Sequence, residues 1–325
     1  MKKKHSMDII AVHKATVKEL FDHFKSLDKA AIQGNQFVFV PGSTRMPLLV
    51  AHADTVHRQL PEIILWDQEK GLFCSPTGLG ADDRAGVWAI LHLWENLSPR
   101  PALLLTDGEE SGGIGAYNAA YDIYDQLCEF PFFLEIDRKG DREVVYYNEE
   151  EGTEFAKFIE SFGFRCEWGI FSDVTILGAE CKKCSCNLSA GYFLNHTPSE
   201  YLNIHILRNT VKLAGKIMRT CLHSKHRMKF KFPKPTFKPY HTTQSRYLVD
   251  DDFGEWGYPV DKQFDVNQGN LYRGESAPKG NICDCCGTDE ETRYTNLTYG
   301  YLCAECFAEF ELTGWDFWEG QGVSQ

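Results

Sequence analysis

Three short apolar runs, Leu48–Ala51, Ala102–Leu105 and Pro131–Ile136, each break off close to ionisable residues, and helical stretches separate them. Runs of four to six residues that are apolar but for Glu135 are what a strand buried on both faces leaves, and such strands occur in parallel sheets covered by helices. The stretch 83–97 carries Val87, Trp88, Ile90, Leu91 and Trp94 on a broad helical face, and a second helix is expected over roughly 115–127. Strand–helix alternation of this kind predicts an α/β fold with a mostly parallel, mixed central sheet flanked by helices.

The flanking segments add to that frame. Val17, Leu20, Phe21, Phe24 and Leu27 recur at helical spacing, and 36–40 then reads as a strand stopped by Pro41-Gly42. A hairpin is expected over 62–74, turning near Lys70-Gly71, and an amphipathic helix over 153–162. The last helix is expected to begin at Thr197-Pro198-Ser199-Glu200, with Thr197 as cap and Glu200 closing a capping box. Tyr201, Ile204, Leu207, Val211, Leu213 and Ile217 would then dock on the sheet.

In open α/β sheets, ligands bind outside the carboxyl ends of the strands. His52 and Asp54 follow the first apolar run and share a face of an extended chain; Glu109 and Glu110 follow the second; Asp137 closes the third. Asp82 opens a helix after the Gly78-Leu79-Gly80 turn, and His196 precedes the expected last helix. A lone His-x-Asp is usually a pair of solvated polar residues, but four further groups on one side of a sheet form a set. Zinc takes imidazole nitrogen and carboxylate oxygen, and this set is large enough for two ions. Manganese and cobalt suit the same donors. Such a pair of ions beside a carboxylate that is not a ligand is the equipment for hydrolysing an amide bond.

The segments AHADTV, GLGADDRAGVWAIL, TDGEESGGIGA, LEIDRKG and NHTPSEYLN resemble, in this order, the successive motifs of the co-catalytic zinc exopeptidases and deacylases of peptidase families M20, M28 and M42. The resemblance spans roughly residues 45–220. It implies one zinc on His52, Asp82 and Asp137 and a second on Asp82, Glu110 and His196, with Asp82 bridging. It further implies a hydroxide shared by the two ions, Glu109 as general base and acid, and Asp54 as the support of His52. The first Asp of the Asp82-Asp83 pair is chosen because that position bridges in these families. Too few residues separate Asp137 from His196 for the lid domain that the M20 type inserts, so the catalytic domain is expected to be lidless and closer to the M28 type. Asp173 resembles a substrate-side Asp of some relatives, and an N-cap at Ser172 or Asp173 explains it equally well.

The chain has 34 Lys and Arg against 46 Asp and Glu, a formal charge of −12, which disfavours nucleic acid as a partner. The basic start, 1–7, is not followed by the apolar stretch of a signal peptide, and no run reaches membrane-spanning length, so a cytoplasmic location is expected. In a reducing compartment, Cys283-x-x-Cys286 and Cys303-x-x-Cys306 have the spacing of a zinc ribbon holding one structural zinc, while Cys181, Cys184 and Cys186 read as reduced thiols. Three parts follow: a catalytic domain over 1–222, an extended linker over 223–280 that includes the alternating Lys229–Phe232, and a zinc-ribbon-like module over 281–325, suited to contacting a protein partner. The function expected is a metal-dependent exopeptidase, most simply an aminopeptidase, with a peptide substrate. The alternatives are a deacylase of small N-acyl compounds using the same metals, and a zinc-stabilised interaction protein without catalysis.

Overall fold

The computed structural model describes residues 7–147 and 152–232, together with the backbone of 292–295 and 300–303. The chain divides into two compact units, Met1–Thr236 and Phe237–Gln325.

The first unit runs α1 (Ile9–Lys14), α2 (Val17–Leu27), β1 (Ile32–Gly34), β2 (Phe37–Val40), β3 (Leu48–His52), β4 (Leu65–Asp67), β5 (Leu72–Cys74), α3 (Ala81–Asn96), β6 (Leu103–Thr106), α4 (Ile114–Asp122) and α5 (Tyr124–Cys128). It continues with β7 (Phe133–Arg138), β8 (Glu143–Val145), α6 (Glu154–Glu160), β9 (Arg165–Glu167), α7 (Asp173–Cys181), β10 (Ser185–Ser189), β11 (Tyr192–Phe193), β12 (Tyr201–Asn203) and α8 (Ile204–His223). An eight-stranded sheet takes the order β1-β2-β6-β3-β7-β10-β8-β9. β3 runs parallel to both β6 and β7, and β7 runs parallel to β10, so the centre is parallel while β1, β2 and β8 bring antiparallel pairings. The mixed, mostly parallel sheet expected from the apolar runs is the one observed.

The period of two along each strand sorts the apolar side chains into two layers. Leu49 and Ala51 of β3, Leu103 and Leu105 of β6, and Leu134 and Ile136 of β7 join one core with α2, α3 and α8. Leu48 and Val50, Leu104, and Phe133 point the other way into a core with α4, α5 and α7. A side chain of this size contributes roughly 1.5–3 kcal/mol when fully buried, so turning β3 over by one residue would lose two layers at once. α2 begins with a capping box in which Thr16 accepts from the Glu19 amide and Glu19 accepts from the Thr16 amide. α1 is tied down by Arg84 of α3, which donates to the carbonyls of Val12 and Ala15.

Two expectations need correction. The helix expected over 115–127 is broken at Ile123, whose backbone leaves the helical region, giving α4 and α5. The last helix starts at Ile204, not near Pro198: Asn203 caps it by accepting from the amides of His205 and Ile206. The residues read as its first turns form β12, which pairs antiparallel with β11 and with β5 in a second, four-stranded sheet that also contains β4. β4 and β5 are the arms of the expected hairpin.

Beyond α8 the lysines of 229–232 are exposed while the Phe230 ring packs against Phe132, Phe155 and Phe158 at centroid distances of 5.1–5.7 Å. Cys181, Cys184 and Cys186 are buried and not disulfide-linked. No helix among the described residues is long and apolar enough to cross a membrane. In the second unit β13 (Thr292–Thr295) and β14 (Gly300–Cys303) pair antiparallel. The side chains of Cys283, Cys286, Cys303 and Cys306, and the expected linker from 233 onward, lie outside the described residues.

Candidate metal centre

β3, β6 and β7 end side by side; His52 and Asp137 stand in the last residues of β3 and β7, and the chain just beyond β3 and β6 carries Asp54, Glu109 and Glu110. Asp82 and Asp83 come from the start of α3, where both have non-helical backbone angles and are joined by a cis peptide bond. A Cβ on Gly86 would lie 2.4 Å from the Ile136 carbonyl and 2.3 Å from Asp83 Oδ1, so only glycine lets α3 press against β7 here. That approach brings the Asp82-Asp83 pair beside Asp137.

His52 is fully buried. Its Nδ1 lies 3.3 Å from Asp54 Oδ1, and its Nε2, which has no hydrogen-bond partner, faces Asp82 Oδ1 at 3.3 Å, Asp137 Oδ1 at 3.7 Å and Glu109 Oε2 at 3.9 Å. On the other side of Asp82, Oδ2 is 3.2 Å from His196 Nε2, which is also 3.2 Å from Glu110 Oε1. The two oxygens of Asp82 are thus divided between the two imidazoles. Two donors held on one zinc at about 2.0–2.2 Å in tetrahedral geometry stand roughly 3.3–3.5 Å apart, and the separations here are of that order. Donor atoms of Asp82, Glu110 and His196 lie within 4.8 Å of one another, as do those of His52, Asp83 and Asp137 and those of His52, Glu109 and Glu110. A buried imidazole nitrogen aimed at three carboxylates without a hydrogen bond fits a divalent cation as its partner.

Asp54 does more than face His52. Its two oxygens accept from the amides of Glu109 and Glu110, so one carboxylate sets both the imidazole and the turn that presents the two glutamates. Burial opposes ionisation of Asp54, but His52 and the two amides outweigh it and hold the carboxyl down at about 2. Glu109 goes the other way: burial, with the charges of Asp137, Asp173 and Asp82 acting against His52, pushes it up to about 10. Asp137 rises to about 7, through burial and then the charge of Asp82, against the opposing pull of His52. His196 rises to about 11 because Asp82 and Glu110 overcome its burial. Asp83 is pushed well up by burial and by the charge of Asp137, and its Oδ1 accepts from the Gly86 amide.

Asp173 is the first residue of α7, after Ser172 as N-cap, and is fully buried with its Oδ2 hydrogen-bonded to the Thr106 hydroxyl. The N-cap falls to Ser172, and Asp173 opens the helix with its charge felt by Glu109.

Several residues at the site carry no signal of their own in the sequence. Asn187 of β10 accepts from the Asp137 amide and donates to the Asp137 carbonyl, substituting a side chain for the ladder where the β7–β10 register shifts. The Tyr192 hydroxyl lies 3.0 Å from Asp137 Oδ1. Asn195 donates to Asp82 Oδ2 at 2.9 Å. Glu200 is fully buried, and it accepts from backbone amides at the start of α3 instead of capping its own segment. Of these four, Asn195 and Glu200 fall inside the motif segment that contains His196.

No protein-family model matches the chain, and no curated protein matches it in sequence. Solved structures do. Aminopeptidase PepT from Bacillus cereus superposes with a TM-score of 0.52 at 14% identity, covering 66% of this chain and 97% of its own. A tripeptidase from Staphylococcus aureus gives 0.52 at 15% identity over the same shares of the two chains. The chain shares the fold of these two peptidases. The exopeptidase resemblance drawn from the ordered motifs and the architecture of the first unit agree, although identity at this level speaks for the fold alone.

Proposed function

We propose that this chain is a metal-dependent exopeptidase that removes residues from the amino end of peptides. The observation that carries the reading is the division of Asp82 between His52 and His196, with Glu109 beside His52 and Glu110 beside His196. On this reading His52, Asp82 and Asp137 would hold one zinc ion, and Asp82, Glu110 and His196 would hold the second; manganese or cobalt would suit the same donors. Two such ions supply Lewis acidity, polarising a carbonyl and lowering the proton affinity of water.

The chain's own residues then have separable tasks. Asp54 fixes the tautomer of His52 by taking its Nδ1 proton as a hydrogen bond, which leaves Nε2 free to donate its lone pair. Glu109 is the proton carrier. Its carboxylate takes a proton from the attacking water as the new C–O bond forms, and returns it to the amine nitrogen as the C–N bond breaks. Burial raises its proton affinity, and cations held beside it would lower that affinity again by favouring the ionised carboxylate. Asp173, fully buried at the start of α7, acts on Glu109 through its charge.

The direct test is digestion of a peptide and N-acyl library by the zinc-loaded full-length protein, read by mass spectrometry. Stepwise loss of amino-terminal residues is expected, and it should vanish with a chelator. Release of acyl groups with peptides untouched would move the reading to a deacylase. A library left intact by protein carrying both zinc ions would overturn catalysis and leave an interaction protein.

A further inference from the structure

We infer that Glu200 is the positioning residue that sets the spacing of Asp82 and His196 around one of the two metal positions, by joining the loop that carries His196 to the turn that presents Asp82. The inference rests on the two-metal reading above.

The start of α3 poses a problem that its own segment does not solve. Gly80 is in the left-handed region with φ 66° and has no side chain to cap the helix, Asp82 and Asp83 depart from helical angles, and Asp83 Oδ1 takes the Gly86 amide, leaving those of Gly80, Ala81 and Asp82. Amide groups there have no local acceptor, and burying them unpaired is costly. Glu200 answers from across the fold. Its Oε2 accepts from the amides of Gly80 and Ala81, the latter at 3.1 Å, and its Oε1 accepts from the Asp82 amide at 3.2 Å. His57 Nε2 lies 3.2 Å from Oε2, so the loop following β3 meets the same carboxylate.

Four residues before Glu200 stands His196, and beside it Asn195 donates to Asp82 Oδ2. The 195–200 segment therefore grips Asp82 twice, by its side chain through Asn195 and by its backbone through Glu200. A helix cap alone would need only the amides. What the geometry adds is a fixed spacing between the Asp82 carboxylate and the His196 imidazole, now 3.2 Å, which is the spacing one cation must bridge. Groups that orient a metal ligand in this manner typically change metal affinity by about 10–100-fold when removed.

The test uses Glu200→Gln in the full-length chain. The amide nearly matches the carboxylate in volume but turns one acceptor into a donor facing amide donors. Zinc is titrated against a chelating dye, and cobalt is titrated in parallel, because thiolate sites show an intense charge-transfer band that nitrogen and oxygen sites lack and the tail cysteines are thereby told apart. Glu200→Gln is expected to loosen the more weakly held ion of the nitrogen and oxygen site by about 10–100-fold while the tighter ion keeps its affinity. Glu200→Asp, which keeps the charge at shorter reach, should loosen the same ion less. Thr153→Ala, which removes the cap of α6 away from the site, should lower thermal stability and leave zinc affinity unchanged.

Wild-type affinity for both ions in either folded Glu200 variant would overturn the assignment and leave the two-metal reading intact. Equal loosening of both ions would reduce Glu200 to a general stabiliser, as would failure of both variants to fold. Fewer than two nitrogen and oxygen sites in the wild-type chain would remove the two-metal reading itself.

Discussion

His52 and His196 face the two oxygens of one carboxylate and are mounted in opposite ways. His52 ends β3, a strand hydrogen-bonded on both sides, and its side chain is 0% exposed with Asp54 behind the ring. His196 sits in a loop with its side chain 22% exposed and a backbone φ of 65°, and Leu194 nearby has φ 54°. Left-handed backbone in non-glycine residues costs on the order of 1–2 kcal/mol each, so the loop conformation must be held by contacts elsewhere. Those contacts are the Thr197 hydroxyl on the Leu194 carbonyl, Asn195 on Asp82 and Glu200 on the Gly80–Asp82 amides. The lesson is that a sheet edge builds one half of such a site outright, whereas the other half is assembled by tertiary hydrogen bonds and is more easily loosened.

The largest effect expected concerns the proton carrier on the strand-mounted side. Glu109→Gln should lower peptide turnover by about 10²–10⁴-fold with both metals retained, as checked by steady-state rates beside metal analysis. Unchanged turnover would remove Glu109 from its role. Next comes the contrast between the two imidazoles. His52→Ala strips the imidazole that faces Asp137 and should reduce metal content to below one ion at the site, together with thermal stability. His196→Ala should lose about one ion and nearly all activity while the strand-mounted ion stays. Equal metal loss in the two variants, measured by elemental analysis after gentle desalting, would contradict the difference in mounting. Asn195→Ala is a smaller perturbation of the loop side, expected to weaken one metal by roughly tenfold, since it removes one hydrogen bond from Asp82 Oδ2.

A last effect lies away from both imidazoles. Burial on α1 lowers the His13 pKa from 6.5 to about 4. The folded value lies below the unfolded one, so this residue's contribution is fully present above pH 6.5 and is lost as pH falls toward 4, where it levels off. The span corresponds to roughly 3 kcal/mol at most. Thermal melts of the wild type should therefore fall more steeply between pH 6.5 and 4 than those of His13→Gln, and parallel profiles would dismiss the effect.

How much of this is legible in the sequence follows the same division. The strand-mounted half can be read because a buried parallel strand leaves an apolar run whose end is visible, and His52, Glu109, Glu110 and Asp137 stand at or just beyond such ends. The loop-mounted half is legible only in part. His196 stands out by its motif, but Thr197-Pro198-Ser199-Glu200 satisfies a local capping pattern, and the partners that draw Glu200 away are amides more than a hundred positions earlier. Asn203, the residue that does cap α8, is overshadowed by that stronger pattern just upstream of it. Asn187 is hidden for a similar reason, since its task exists only because the register of β7 and β10 shifts beside it. Local chemistry shows in a sequence; an acceptor supplied from a distant segment does not.

The central claim is tested most directly by an anomalous difference map from crystals of the full-length protein grown with zinc. Two peaks are predicted on either side of Asp82, one against His52 and Asp137 and the other against Glu110 and His196. A single ion shared by both imidazoles, or zinc bound only at the tail cysteines, would contradict the account.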